Sequence, residues 1–375
     1  MNNNSIRIRG QVFMPDGIFR PAEIMIEDRL ITDVTTTDEK MTDEENERYI
    51  IPGLIDIHMH GCAGYDVCSA TVEDLKKIAK YEVSRGITSF CPATMTLDEI
   101  RLTEICETVA EAMRQGESDS LLDAVRGIYL EGPFISCDRA GAQDTSYARN
   151  PEAALADRLM KAAGGNIKVV TIAPELDGAE SFIREYSKKA RCSIAHTGAG
   201  YDDARRAIEA GAHHITHLYN AMTGMEHRSP GVVAAAIESD DTVVELISDG
   251  HHVHPAVIRN TFKIFGDRRV VLISDSTEAT GMSDGMYRLG EKAVFKNGGR
   301  ATLDNGTLAG SACDLFDCFR YAVKIGIPVR DAIFAATRNP AEAIGIYDKT
   351  GSIEKGKKAD ILILSDRLDL LEVVH

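Results

Sequence analysis

The pattern of apolar and polar positions divides this chain into three parts. Short segments in which apolar and polar side chains alternate, such as 6–10 and 23–28, occur in the first 50 residues and are typical of strands with one buried face. From residue 51 onward, continuous apolar runs alternate with longer segments of helical period. Short alternating segments return near the end, at 351–356 and 359–364. The pattern therefore predicts strand–helix alternation between two β-rich ends.

The apolar runs of the central part number eight, and each is expected to be a buried parallel strand. They occupy residues 50–55, 87–94, 124–130, 167–172, 192–195, 214–216, 243–247 and 270–273. Helices are expected between them, the first at 71–85 after a capping pattern that begins at Thr71, and the second at 97–115. Eight such units predict an α/β fold, a (β/α)8 TIM-like barrel over 51–344. Residues 1–50 and 345–375 are expected to pair in a small discontinuous β-sandwich domain.

The charge balance excludes two classes of partner. Acidic residues outnumber basic ones by 58 to 42, and the net charge of −16 repels nucleic acid and anionic membrane surfaces. A phosphorylated ligand would therefore need a local basic group. No apolar run has the length of a membrane span and the first residues lack a signal-peptide segment, so we expect a cytoplasmic protein. The eight cysteines are scattered without CxxC spacing, which indicates free thiols.

Two histidines, His58 and His60, follow the first apolar run. Residues spaced i and i+2 on a strand point the same way, so both imidazoles could bind one cation. An isolated pair of this kind fits two hydrogen-bonded structural histidines equally well. The metal hypothesis therefore depends on whether other strands supply further ligands.

Four other runs do end in residues of the required type. Glu131, His196, His217 and Asp275 each stand at the end of a predicted strand, where the strands of a barrel bring their side chains together. One carboxylate and two imidazoles match a catalytic zinc-type site that keeps a position open for water. Asp275 would then be free to accept a proton from water and to pass it to an amine leaving group.

With these motifs the chain resembles the amidohydrolase superfamily and, within it, the N-acetylglucosamine-6-phosphate deacetylases. The resemblance runs nearly end to end, and its most selective motifs lie at 130–134, 217–222, 248–253, 274–275, 285–290 and 306–311. It implies hydrolysis of the acetamido group of a 2-acetamido sugar 6-phosphate. The galactosamine epimer is the alternative substrate, because the residues that would recognise the 4-hydroxyl group cannot be identified. A non-catalytic binding protein would be expected to lack one of the four strand-end residues, and all are present.

The resemblance also implies a role for individual residues. Glu131, His196 and His217 match the ligands of the main metal, and Asp275 matches the residue that activates water and protonates the departing amine. Asn220 and Ala221 match positions that bind the sugar phosphate, and Arg228 matches an arginine that reaches the phosphate from a partner subunit, which implies a homodimer. The other matching substrate-side positions are Ala142, Gln143, His252, Leu308 and Ala309.

Two departures from the family pattern are linked in our interpretation. Many relatives have a histidine where this chain has Gln143, which can donate a hydrogen bond but carries no charge. Some single-metal relatives lack the histidine pair that this chain keeps as His58 and His60. A second cation held there and bridged by Glu131 would polarise the carbonyl in place of the missing histidine. We therefore expect one or two divalent ions per chain, and zinc, iron, manganese and cobalt all suit such ligands.

Overall fold

The computed structural model of this protein describes residues 5–37 and 41–375, and its centre is a closed barrel of eight parallel strands. The strands are Leu54–Met59, Ile87–Pro92, Ile128–Leu130, Ile167–Ile172, Arg191–Ile194, His214–Ile215, Val243–Ile247 and Val270–Ile273. Strands three to eight form one sheet, and the first two pair with each other. The barrel closes where the Asp275 N–H donates to the carbonyl oxygen of His58 at 3.0 Å. The predicted barrel is thus confirmed.

Helices cover the barrel. They are Val72–Ser84, Glu99–Gln115, Ala153–Ala162, Ala179–Tyr186, Tyr201–Ala210, Gly231–Glu238, Pro255–Arg269, Leu315–Lys324, Val329–Ala336 and Arg338–Ala343, and a short helix at Asp43–Asn46 precedes the barrel. The capping pattern predicted at Thr71 is present: its hydroxyl accepts from the Asp74 N–H, and the Asp74 side chain accepts from the Thr71 N–H. The second helix begins two residues after its predicted start, with Asp98 as its N-cap.

The predicted strand at 50–55 is wrong, because the chain passes there from one sheet to another. Tyr49–Pro52 pairs with Ile6–Phe13 and Ile361–Leu364 in a sheet outside the barrel, and the first barrel strand begins at Leu54. Gly53 lies between them, and a Cβ atom added there would lie 2.1 Å from Thr88 Oγ1. Only glycine allows this close approach, so the apolar run is continuous in sequence although it belongs to two sheets.

Strands from both ends of the chain form that separate sheet, as predicted. Its six strands are Ile6–Phe13, Phe19–Glu27, Leu30–Thr36, Tyr49–Pro52, Ile361–Leu364 and Leu370–Val374. The edge strand Leu30–Thr36 also bonds to the segment before Ile361–Leu364, since the Ile31 N–H donates to the Lys357 carbonyl oxygen at 2.9 Å. The sheet therefore curls around its own apolar core, which includes Val12, Ile24, Ile50 and Ile361. The expected strand at 351–356 is wrong, because this segment forms turns.

Apolar side chains fill the barrel interior below the strand ends. Ile55, Ile57, Tyr129, Ile247 and Ile273 belong to this interior cluster, while the positions between them pack against the helices. The polar residues at the strand ends therefore lie above a closely packed layer, in which Glu245 is also buried. Among the described residues, no helix combines the length and the apolar character needed to cross a membrane.

A three-stranded sheet, which the sequence pattern did not predict, follows the eighth barrel strand. It consists of Gly285–Leu289, Lys292–Asn297 and Arg300–Thr302. Its strands are short and mostly exposed, so they lack the buried apolar face that makes a strand visible in sequence. The Lys292 ammonium group donates to the Gln143 carbonyl oxygen at 2.8 Å, which attaches this sheet to the loop after Glu131.

Candidate active site

The six residues predicted as metal ligands or as the proton-transfer group lie close together. Glu131, His196, His217, Asp275 and His60 line one cavity of about 370 Å³, and His58 lies buried beneath it. This volume lies within the usual range for small-ligand sites. The cavity is at the carboxyl ends of the strands, where barrel chemistry is expected.

An irregularity in the first strand aims both histidines at the cavity. The register shifts between Asp56, which pairs with Phe90, and Met59, which pairs with Pro92, so the first strand has one extra residue there. Ile57 therefore faces the interior, and the His58 ring lies there too, stacked on Tyr129 with ring centroids 4.1 Å apart. The i, i+2 pair does point one way, as predicted.

Two groups of potential metal ligands share Glu131. One contains His58, His60 and Glu131, and the other contains Glu131, His196 and His217. Nε2 of His196 lies 3.1 Å from Glu131 Oε1, and Nε2 of His217 lies 3.2 Å from the same oxygen. On the other side, Nε2 of His60 lies 3.2 Å from Glu131 Oε2, and Nε2 of His58 lies 3.4 Å from Oε1. Ligands about 2.1 Å from a tetrahedral zinc ion lie roughly 3.4 Å apart, so these spacings suit such cations.

The hydrogen bonds of the rings leave nitrogen lone pairs available to a metal. Nδ1 of His196 contacts the Arg139 carbonyl oxygen at 3.0 Å and must donate to it, so Nε2 carries the lone pair. Nδ1 of His58 lies 3.1 Å from Glu245 Oε2, which fixes the same tautomer. The buried Nε2 of His58 has no hydrogen-bond partner among the described residues. A divalent cation would satisfy this atom, so the residues present fit the metals that the sequence implied.

The electrostatics of the site favour binding of cations. Burial opposes a charged imidazole, yet the charges of Glu131 and Glu245 raise the pKa of His58 well above its ordinary value. Against the same effect of burial, hydrogen bonds to Asp275 and Glu131 raise the pKa of His60 to about 9. The field that attracts protons to these nitrogens also attracts divalent cations, because protons and metals compete for the same lone pairs.

Asp275 lies beside the histidine pair, with its Oδ1 3.3 Å from His60 Nε2. Burial raises the pKa of this carboxyl, but the hydrogen bond with His60 and the charge of His58 bring it below its ordinary value. Asp275 is therefore a carboxylate and can accept a proton. Its backbone has φ of 50°, and His196 and His217 are also in the left-handed region at 43° and 29°. Such strained positions after strand ends are typical of functional sites.

Gln143 lines the cavity, but both hydrogens of its side-chain amide point at other protein groups. The amide nitrogen donates to Glu131 Oε2 at 2.5 Å and lies 3.6 Å from Met95 Sδ. The amide oxygen accepts from the Thr96 N–H at 2.6 Å, which determines the orientation of the amide group. Gln143 is therefore hydrogen-bonded to the carboxylate that the two candidate metal groups share.

The structure brings most of the expected substrate-side residues to the cavity. Its walls include Ala142, Asn220, Ala221, His252 and Leu308. Nδ1 of His252 lies 2.7 Å from Asp249 Oδ2, which orients the ring. Two expected residues do not line it. Ala309 is buried behind the wall, and Arg228 lies in an exposed loop.

Sequence reasoning missed two residues of the site, Arg139 and Glu245. Arg139 is the only arginine or lysine among the residues that line the cavity, and it makes no ion pair with any described residue. Nothing in its sequence context distinguishes it from other loop arginines. Glu245 is completely buried on the seventh strand. A glutamate within the apolar run Val243–Ile247 is itself a signal, because a charged residue there needs a buried partner.

Comparisons with known proteins agree with this geometry. The sequence pattern of the amidohydrolase family matches residues 49–373. N-acetylglucosamine-6-phosphate deacetylase of Bacillus subtilis (strain 168) is 37% identical over 325 residues, which cover 86% of this chain and 82% of that protein. N-acetylgalactosamine-6-phosphate deacetylase of Escherichia coli O157:H7 is 33% identical over 353 residues, which cover 94% of this chain and 92% of that protein.

A solved structure extends the likeness to the whole chain. An aspartate-to-alanine mutant of N-acetyl-D-glucosamine-6-phosphate deacetylase from Mycobacterium smegmatis, in complex with N-acetyl-D-glucosamine-6-phosphate, is 32% identical in sequence. The two folds match with a TM-score of 0.92 over 99% of this chain and 98% of that one. The likeness therefore includes both the barrel and the small sheet.

Proposed function

Because this chain belongs to the amidohydrolase family, we propose that it hydrolyses the acetamido group of N-acetyl-D-glucosamine 6-phosphate, releasing acetate and D-glucosamine 6-phosphate. One observation carries the proposal: Glu131 joins two histidine pairs in a cavity whose edge holds the ionised Asp275. This is the equipment that amide hydrolysis needs, namely sites for cations and a group for proton transfer. The relatives named as deacetylases of amino-sugar phosphates support the choice of substrate.

Two groups of residues would hold divalent cations. Glu131, His196 and His217 would bind the first, and His58 and His60 would bind a second that shares Glu131. Such cations polarise a carbonyl oxygen and lower the pKa of water. Zinc, iron, manganese and cobalt all accept imidazole and carboxylate ligands, so the ligand set leaves the choice among them open.

The chain itself supplies the proton transfers. We assign to Asp275 the proton lost by the water that attacks the carbonyl carbon of the acetyl group. The same carboxyl then gives this proton to the sugar nitrogen as the carbon–nitrogen bond breaks. The oxygen of water ends in acetate, and the nitrogen leaves as the amine of glucosamine 6-phosphate. Asp275 returns to its carboxylate form for the next cycle.

The phosphate end of the substrate requires a cation from the protein. The cavity also contains the carboxylates of Glu131, Asp138 and Asp275, so an anionic ligand would otherwise be repelled. Arg139 supplies a positive charge within the same chain. A Cβ atom added at Gly141 would lie 4.0 Å from Ala221 Cβ, so the loop after Arg139 runs beside a position expected to bind phosphate.

We propose that Arg228 contributes from a second subunit. It is exposed in its own chain and does not line the cavity there, which is compatible with a role across a homodimer interface.

The cytoplasm remains our proposed location. All eight cysteines are free, as in proteins of reducing compartments.

His58 and His60 would hold a cation able to polarise the carbonyl oxygen of the substrate. In this structure Gln143 already donates to Glu131, so the chain offers no free donor at this position to replace the histidine of many relatives. We therefore assign carbonyl polarisation to the site formed by His58 and His60. Metal analysis of the fully active protein should give two ions per chain, and His58→Ala should reduce turnover. One ion per chain together with unchanged turnover of the variant would refute this assignment.

The galactosamine epimer is the second candidate substrate, because a named N-acetylgalactosamine-6-phosphate deacetylase matches 94% of this chain. The test compares kcat/KM on the two epimeric phosphates and on N-acetylglucosamine without phosphate. We expect the glucosamine phosphate to give the highest value. A higher value on the galactosamine phosphate would support the alternative, and no turnover of either phosphate would overturn the proposed function.

A further inference from the structure

A buried glutamate below the cavity connects the two candidate metal groups. Glu245 is on the seventh barrel strand and none of its surface is exposed. Its Oε2 lies 3.1 Å from Nδ1 of His58, a ligand of the second group. The same oxygen accepts the backbone N–H of His217, a ligand of the first group, at 3.1 Å. One oxygen atom therefore contacts residues of both groups.

The contact with His58 determines which ring nitrogen can bind a cation. A carboxylate only accepts hydrogen bonds, so Nδ1 of His58 must carry a proton, and in the neutral ring that binds a metal Nε2 carries the lone pair. Nε2 is the atom that faces Glu131 and Asp275, at 3.4 and 3.7 Å. A carboxylate behind a ligand histidine fixes its tautomer and makes the ring a stronger donor to the metal.

The contact with His217 is of a different kind. The bond from its backbone N–H holds the chain where the sixth strand ends and where φ of His217 is 29°. Neither His217 ring nitrogen contacts Glu245. We therefore expect the first group to keep its ligand atoms when the charge at residue 245 is removed, provided that the acceptor oxygen remains.

The charge balance at the site permits a second cation near Glu245. Glu131, Asp275 and Glu245 are buried carboxylates, which together bring three negative charges to the site. One divalent cation would leave a net charge of −1 with these carboxylates and two would leave +1, so the site can accommodate a second cation. Oε1 of Glu245 has no hydrogen-bond partner among the described residues, and Nε2 of His214, which is 3.6 Å away, offers no charge because burial lowers the pKa of His214 to about 4. Buried charge of this kind is costly unless cations are close.

We propose that Glu245 is the positioning residue that makes the second cation site: it holds His58 in the tautomer and orientation that bind metal. This inference rests on the proposed function only for its second cation. It predicts that one buried carboxylate on the seventh strand, in contact with Nδ1 of His58, decides whether the chain binds one divalent ion or two.

The test is metal binding by Glu245→Gln, measured without substrate. With its oxygen in the place of Oε2, glutamine can still accept from Nδ1 of His58 and from the His217 N–H, but it lacks the negative charge that makes a carboxylate the stronger partner of a ligand histidine. After dialysis against zinc or manganese alone, we expect two ions per chain in the original protein and one in the variant. The second ion should bind about 10- to 100-fold more weakly, the usual effect of losing such a partner.

The matched control is Glu82→Gln. Glu82 is as buried as Glu245, but both of its oxygens lack partners among the described residues, and it lies on the helix Val72–Ser84 and belongs to neither metal group. This variant should keep both ions. A second variant, Glu245→Asp, keeps the negative charge, but its side chain is one methylene group shorter, so its carboxylate lies farther from Nδ1 of His58. It should therefore also lose the second ion. If the Glu245→Gln variant does not fold, the Glu245→Asp variant provides the test.

The outcomes separate this inference from the proposed deacetylase activity. A Glu245→Gln protein that binds two ions with unchanged affinity overturns the inference, whatever its activity. An original protein that binds one ion also overturns it, even if deacetylation proceeds. Loss of the second ion in both Glu245 variants but not in Glu82→Gln supports it, even if the preferred sugar is the galactosamine epimer.

Discussion

Gln143 donates its side-chain amide to Oε2 of Glu131 at 2.5 Å, and this oxygen is also 3.2 Å from Nε2 of His60. The amide oxygen of Gln143 is held by the Thr96 N–H, so the group cannot turn without losing both bonds. Gln143 thus orients the carboxylate that joins the two metal groups. Its position in the loop after Glu131 indicates contact with substrate, whereas its hydrogen bonds indicate a role in the metal centre.

This relationship predicts the effect of Gln143→Leu. Removal of the amide would leave Glu131 Oε2 and the Thr96 N–H with unmet hydrogen bonds, so we expect a loss of about 1–3 kcal/mol in unfolding free energy. Metal affinity should fall by about 10- to 100-fold as Glu131 loses its orientation. Thermal unfolding and metal titration measure these effects. If only KM changed, with metal affinity intact, Gln143 would be a substrate contact instead.

Asp275→Asn should abolish most of the proton transfer. We expect kcat to fall by about 10²- to 10⁴-fold while the metal content stays unchanged, because asparagine cannot accept the proton of the attacking water. Steady-state kinetics and elemental analysis would show this. Asp138→Asn is the control, since Asp138 lines the same cavity without contacting the metal groups, and its kcat should change little. Near-normal turnover of the Asp275→Asn variant would show that Asp275 is not the proton-transfer group.

Removal of divalent ions by a chelator should lower stability as well as activity. Without cations, the buried carboxylates of Glu131, Asp275 and Glu245 face each other with fewer compensating charges. At a free metal concentration about 100 times Kd, bound metal contributes about 2.7 kcal/mol for each site. Differential scanning calorimetry should therefore show a lower Tm after chelation and recovery on adding zinc, iron, manganese or cobalt. An unchanged Tm would argue against metals bound at these ligands.

Arg139→Gln should weaken binding of phosphorylated substrate. Because Arg139 carries the only guanidinium or ammonium group among the cavity residues, we expect KM for the sugar phosphate to rise about tenfold or more. Turnover of the sugar without phosphate should not change. Arg205→Gln, an exposed substitution in the helix Tyr201–Ala210 away from the cavity, is the control. Equal effects on both sugars would exclude a phosphate contact.

Arg228→Gln tests the proposed dimer. If Arg228 acts across an interface, its substitution should raise KM for the phosphate as Arg139→Gln does. Mixed dimers of the Arg228→Gln chain with an Asp275→Asn chain should then contain one centre with both native residues and regain about half the activity of the original dimer, whereas no centre would have both if Arg228 acted within its own chain. An active monomer by light scattering would refute the contribution from a partner.

Asp249→Asn should shift the pH dependence of KM. Burial lowers the pKa of His252, but the hydrogen bond and charge of Asp249 raise it above 6.5, with Asp275 also raising it and Arg300 lowering it. A raised pKa keeps the imidazolium form, and the stability it confers, at pH 6.5 and below, and both are lost as pH rises through the folded-state pKa. In the variant this loss should begin at lower pH. The His251→Asn variant is the control. If the Asp249→Asn variant had the same pH dependence of KM as the original protein, His252 would not be the group whose titration changes KM.

Much of the barrel and the site was predictable from local patterns. Eight apolar runs predicted eight strands, because burial on both faces of a parallel strand is recorded in consecutive residues. Glu131, His196, His217 and Asp275 followed from their positions after those runs, since the carboxyl ends of barrel strands converge. The strand break at Gly53 did not follow, because it depends on how close Thr88 approaches from another strand.

The sequence by itself determined the fold class, the six strand-end residues that are candidates for metal binding and proton transfer, and the family resemblance. Only the tertiary structure decided what each side chain meets. It turned Gln143 toward Glu131, placed Glu245 behind His58, and left Arg139 as the cationic group of the cavity. The physical reason is that periodicity reports which face of an element is buried, whereas hydrogen bonds and charge compensation depend on residues far apart in the chain.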